Sequence, residues 1–135
     1  MGYDIEKIEG VGKVYGDKLR EAGVKDTAAL LRACAGPKDR ATLAAKTGIP
    51  DALVLKFANR ADLMRVKGIG EEYADLLEAA GVDTVPELAQ RRADNLHAAL
   101  EAANAAKKLV RQAPGLKAVE GWIAAAKDLP RALTY

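Results

Sequence analysis

A turn built on two glycines is written twice into this chain, and nothing else in the sequence restricts the fold so tightly. Ile8-Glu9-Gly10-Val11-Gly12 leads into Tyr15, Asp17, Leu19, Ala22, Gly23 and Val24; 58 residues later Val66-Lys67-Gly68-Ile69-Gly70 leads into Tyr73, Asp75, Leu77, Ala80, Gly81 and Val82. Self-similarity at one fixed spacing is the mark of an internal duplication. Glycines on either side of one apolar residue let the backbone turn sharply, while Val11 or Ile69 between them anchors the turn in the core. Helical spacing follows: Val14 or Tyr15, then Leu19 and Ala22 in the first copy, and Tyr73, Leu76, Leu77 and Ala80 in the second. Gly23 and Gly81 stand where a left-handed cap ends a helix. Each copy therefore predicts a short helix, a glycine hairpin and a second short helix.

These residues resemble the helix-hairpin-helix motif, an apolar-x-Gly-apolar-Gly turn followed by a core position and then by Leu and Gly, and both copies fit it. Nearly the whole chain, including Gly2-Tyr3-Asp4-Ile5-Glu6-Lys7-Ile8-Glu9-Gly10 and Asn59-Arg60-Ala61-Asp62-Leu63-Met64-Arg65, also resembles a family of small stand-alone bacterial proteins built from two such motifs. That family is catalogued as a domain of unknown function. The resemblance implies a fold and carries no established activity.

Composition agrees with an all-α fold. Alanine supplies 28 of the 135 residues, β-branched and aromatic residues are sparse, and no run alternates with period two. No apolar stretch approaches the roughly 20 residues of a membrane span, and the N-terminus lacks the basic-then-apolar order of a signal peptide, so a cytoplasmic protein is expected. Cys34 is the single cysteine, which excludes an intramolecular disulfide and a cysteine metal cluster.

After each hairpin the repeat continues less faithfully. Thr27 and Thr84 are candidate N-caps for short helices over Ala28 to Ala33 and Val85 to Gln90, and Glu87 lies at capping-box spacing from Thr84. Gly36-Pro37 breaks the first, a helix is predicted from about Lys38 to Lys46, and Gly48 and Pro50 punctuate before an Asp51-capped helix over Ala52 to Met64, with Leu53, Phe57 and Ala61 on one face. In the second copy Asp94 is expected to cap Asn95 to Ala103, and Gly115 to start a last helix with Val119, Trp122, Ile123 and Ala126 inward. Phe57 and Trp122 take equivalent places. The chain is thus expected as two lobes, residues 1 to 65 and 66 to 135, packed as one helical body without a linker.

The resemblance also bears on function. Hairpins of this class present backbone N–H groups at the start of their second helix, where the helix dipole also favours an anion, so a nucleic-acid phosphate docks there without base readout. On the first hairpin this implies Gly10, Val11, Gly12 and Lys13 at the phosphate, with Lys7 and Lys18 flanking and Arg20 and Lys25 nearby, opposed in part by Glu6 and Glu9. Lys67, Gly68, Ile69 and Gly70 form the weaker second candidate, because Glu71 and Glu72 occupy the first turn of its helix and would repel a polyanion. Residues 1 to 65 hold twelve Lys and Arg against nine Asp and Glu, and residues 66 to 135 nine against ten, a mild asymmetry beside the basic excess of tight duplex binders. Lys107, Lys108 and Arg111, with Arg91 and Arg92, read as a solvated face. The resemblance further implies a monovalent cation at the turn, held by carbonyls of Ile8, Val11, Val66 and Ile69; no other cofactor and no metal is expected.

The expected function is weak, sequence-independent DNA binding through the first hairpin. The alternative is a protein-interaction or scaffold module whose hairpins are architectural and whose partner is an unidentified protein. Neither a membrane nor a small-molecule substrate is expected. Nor is catalysis. His97 is the single histidine, set on a helix with Leu96 and Leu100 and without an evident nucleophile, and Cys34 lies in an apolar run. A dinucleotide fingerprint is excluded, since Gly16 falls one place late for the third glycine and no strand precedes it.

Overall fold

A computed structural model describes residues 2–135 of the chain. Among the described residues it is all-α, with no strand: a 3-10 turn (Ile5–Lys7) precedes helices α1 (Gly12–Glu21), α2 (Thr27–Ala33), α3 (Pro37–Thr47), α4 (Asp51–Leu63), α5 (Glu71–Ala79), α6 (Val85–Gln90), α7 (Ala93–Lys107) and α8 (Leu116–Asp128). No helix is long and apolar enough to cross a membrane.

The chain divides into two units. The first runs to Asp62 and takes in Pro130–Tyr135; the second is Leu63–Leu129. The last six residues thus group with the first unit, whereas the sequence predicts a plain division after residue 65. What draws them there is an apolar anchor and two hydrogen bonds: Leu133 is 1% exposed, and the Thr134 amide and hydroxyl both donate to the Ala35 carbonyl, at 2.8 and 3.2 Å.

Within the first unit the glycine turn is held from both sides. The Ile8 amide donates to the Ile5 carbonyl and the Val11 amide to the Ile8 carbonyl, with Gly10 at φ 91°, a conformation that a side chain disfavours. Ile5, Ile8 and Val11 are buried beneath it. After α1, the Val24 amide reaches back to the Leu19 carbonyl at 2.8 Å and Gly23 to Arg20 at 2.9 Å, the paired bonds of a Schellman stop. Tyr3, Ile5, Lys25 and Thr27 then exchange backbone bonds that stitch the N-terminal segment to the loop behind α1.

The second unit repeats the bonds of the turn and of the helix stop. Val66 donates to Leu63, Ile69 to Val66, Val82 to Leu77 and Gly81 to Glu78, with Gly68 at φ 94°. Each turn also lies under an aromatic side chain from a distant helix. Phe57 of α4 packs on Tyr15 with ring centroids 6.2 Å apart, and Trp122 of α8 packs on Tyr73 at 5.1 Å. Both tyrosines are half-buried. The inward face of α8 is Val119, Trp122, Ile123 and Ala126, all buried, against α6 and α7. Each such large apolar side chain contributes on the order of 2 kcal/mol on burial.

Two local expectations change, and one open alternative is decided. Asp26, not Thr27, caps α2: its carboxylate accepts the Ala29 amide at 2.8 Å, while the Thr27 hydroxyl accepts the Tyr3 amide at 3.0 Å and is buried. Helix α7 starts two residues before Asn95 and runs on to Lys107, because the alanine-rich stretch after Leu100 favours helix until Lys108, at φ 53°, and the Asn104 side chain, bonded to the Val110 amide, stop it. Val14 points outward and is 68% exposed; Tyr15 is the residue turned to the helix's neighbours.

Candidate functional site

Helix α1 starts directly from the first turn, with Val11 already helical at φ −69°, ψ −56°. Gly10, Gly12 and Lys13 are exposed there, and α1 has no acidic residue in its first turn. The amides of Gly12, Lys13 and Val14 therefore open the helix. Val11 contributes differently from the expectation: its side chain is 2% exposed and its amide is spent on Ile8, so it builds the turn instead of facing a ligand.

The basic residues around the turn are largely engaged. Lys13 donates to Asp17 at 2.9 Å, which raises the lysine and holds the Asp17 carboxyl below the usual carboxylate range. Arg20 is bound by Glu6, Asp17 and Asp4 together, and the Glu6 hydrogen bond raises it further. Asp17 and Asp4 are the carboxylates that the basic-cluster expectation leaves out, although Asp17 lies at i,i+4 from Lys13, the spacing at which such pairs form. Glu6 also sits so close to α1 that a Cβ on Gly16 would lie 2.8 Å from its Cγ; the glycine allows that approach.

Lys7 is exposed on the 3-10 turn. Lys18 is exposed too, but it does not join Lys13: five residues along a helix is about 140° of rotation. Instead it lines a groove with Lys46 of α3.

At the second turn Lys67 and Gly68 are exposed, Ile69 is fully buried, and its amide is spent on Val66. Gly70 is extended, at φ −99°, ψ −162°, so α5 starts one residue later than α1 does relative to its turn. Its first turn carries Glu71 and Glu72, both exposed. The carbonyls of Ile8 and Val66 each accept an amide, so a cation at either turn would share those oxygens with Val11 or Ile69.

Elsewhere, His97 is half-buried on α7 with its Nδ1 3.5 Å from Glu101. Cys34 is fully buried, and burial raises its thiol to about 11. Among the described residues no group of three or more His, Cys, Asp or Glu is placed to hold a metal. Lys107, Lys108 and Arg111 are exposed, and Arg92 pairs with Asp94 at 3.2 Å.

The class defined by this geometry is an all-α protein whose two glycine turns share one hydrogen-bonding pattern and differ in the charge they present. A domain of unknown function (DUF4332) matches residues 9–129, and the chain belongs to that family. No curated protein and no solved structure matches it.

Proposed function

We propose that the chain is a non-enzymatic tandem helix-hairpin-helix module that holds a nucleic-acid backbone, weakly and without base readout, at the start of α1. The observation that carries this reading is the exposed first turn of α1, free of carboxylates and bearing Lys13, in contrast to the same turn of α5, which is filled by Glu71 and Glu72. A phosphate at Gly12 to Val14 gains the helix dipole and the opening amides, and the Lys13 ammonium adds a charge-assisted contact. Weakness follows from the neighbours: Asp17 competes for Lys13, and Arg20 already has three carboxylates.

The test is a titration of the full chain into a fluorescent generic duplex at about 50 mM and again near 200 mM salt, because binding to backbone phosphates weakens steeply across that range. Lys13→Glu is expected to abolish the binding, and Glu71→Lys with Glu72→Lys to strengthen it. No binding at low salt overturns the proposal.

One observation favours a second reading, a protein-docking surface: Val14 is 68% exposed on that same first turn. A protein partner seated there would tolerate moderate salt and be lost on Val14→Asp.

A further inference from the structure

A groove in the first unit has a chemistry that the turn does not use. Lys18, Glu21 and Ala22 of α1 and Lys46 and Thr47 of α3 line a cavity of about 530 Å³, a size that accommodates a small metabolite. Lys18, Glu21 and Lys46 are exposed, and among the described residues none of the three is in an ion pair. That is informative for Lys18 and Glu21, which stand at i,i+3, where a surface salt bridge readily forms. Lys18 instead reaches towards the end of α3, its Nζ 3.9 Å from where a Cβ on Gly48 would stand.

Lys18 of α1 and Lys46 of α3 set two ammonium groups against the one carboxylate of Glu21, so the side chains lining the groove carry a net positive charge. Thr47, also in the lining, offers no donor, since its hydroxyl donates to the Leu43 carbonyl at 2.8 Å and accepts the Ile49 amide at 3.2 Å. The lining thus offers two cationic donors, one acceptor-only carboxylate and a small apolar floor at Ala22. A phosphate monoester, with three terminal oxygens and close to two negative charges, can accept from both ammonium groups at once, which leaves Glu21 for a separate donor. Glu21 asks for a donor beside the phosphate, which a hydroxyl supplies. No aromatic side chain lines the groove, so it offers a nucleobase nothing to stack on.

We infer that the groove between α1 and α3 binds the phosphate monoester of a small polyol, with Lys18 and Lys46 on the phosphate and Glu21 accepting from a neighbouring hydroxyl. This site is separate from the start of α1 and stands or falls independently of the nucleic-acid reading.

The experiment titrates the ¹⁵N-labelled full chain with ribose 5-phosphate, inorganic phosphate and ribose, following backbone amides. Ribose 5-phosphate is expected to shift Lys18, Glu21, Ala22, Lys46 and Thr47 saturably, inorganic phosphate to do so about tenfold more weakly, and ribose not at all. Lys18→Met with Lys46→Met, both exposed positions, is expected to weaken the ester about tenfold or more while the spectrum stays that of the folded chain. Glu21→Gln is expected to bring ester and inorganic phosphate closer in affinity. The inference is overturned if no shifts arise up to about 10 mM, if they fall only at Gly12 to Val14, or if they persist in the folded double variant. Equal affinity of ester and inorganic phosphate for the unaltered chain also overturns it.

Discussion

Trp122 closes over Gly68 so tightly that a Cβ at that glycine would lie 3.0 Å from the indole Nε1, whereas a Cβ at Gly10 would lie 3.4 Å from Phe57 Cε1. The two positions share their left-handed backbone, at φ 94° and 91°, so substitution by alanine costs each about 1–2 kcal/mol in conformation. Gly68→Ala must also displace the indole, at about 1 kcal/mol more. Urea unfolding is expected to rank Gly68→Ala as the more destabilising, with a shift in Trp122 emission that Gly10→Ala lacks. Equal losses and unchanged emission would show that the indole yields freely.

The Lys13–Asp17 pair sets how much positive charge the first turn presents. Asp17→Asn releases the ammonium, and duplex affinity at low salt is expected to rise about twofold, the scale of one surface i,i+4 pair. Because the Asp17 carboxyl is depressed in the folded chain, the pair is fully formed above the ordinary carboxylate range and is lost as pH falls through the lowered value. Duplex binding measured at neutral pH in both proteins decides the matter; unchanged or reduced affinity in Asp17→Asn removes Lys13 from the contact.

Cys34 gives a pH dependence of the opposite kind. Burial raises its thiol from 9.0 to about 11, so the folded chain favours the protonated form. The stability this represents is complete below the unfolded value and drains away as pH climbs from about 9 towards 11. Denaturant midpoints are expected to fall across that interval in the natural chain and to fall less in Cys34→Ala. At pH 8 a thiol reagent should react with the native chain far more slowly than with the chain in denaturant. Rapid native labelling would contradict the burial.

Leu133 is the apolar anchor of the C-terminal segment. Leu133→Ala is expected to cost about 2–3 kcal/mol, the lower part of the range for a buried leucine, because the end of a chain can detach without unfolding its host. Amide exchange should quicken at Thr134, whose amide bonds Ala35. Tyr135→Phe removes the 2.9 Å bond to Asn59, an exposed contact, and is expected to shift stability by less than about 1 kcal/mol.

Much of the fold was legible because glycine and apolar spacing are local signals. Val11 and Ile69 between their glycines are buried, Gly23 and Gly81 take left-handed caps, and Phe57 and Trp122 each pack on the tyrosine that follows their turn. Where two adjacent residues could play one local part, tertiary contacts decided. Asp26 and Thr27 are both cap formers, and the Tyr3 amide claims the Thr27 hydroxyl. The length of α7 was hidden for a related reason: an alanine-rich run carries no stop signal, and the residue that ends it, Lys108, is not a helix breaker by type. Around the turn, counting basic residues was a poor guide to available charge, because Asp4, Glu6 and Asp17 meet Arg20 in space and Asp17 also holds Lys13. That Lys18 and Lys46 line one groove has no sequence signal at all, since it depends on α1 lying against α3.

The return of Pro130–Tyr135 to the first unit makes the second unit an insertion, entered at Leu63 and left at Leu129. When that insert is unfolded, seating Leu133 means closing a long floppy loop, with the entropy loss that loop closure carries. Once it is folded, its two ends are held at one fixed separation and the terminal segment is delivered to the Ala35 carbonyl at high effective concentration. The first unit is thereby informed of the state of the second through chain connectivity alone, and a lesion in the Trp122 core should loosen Thr134 from Ala35 before it disturbs any helix of the first unit.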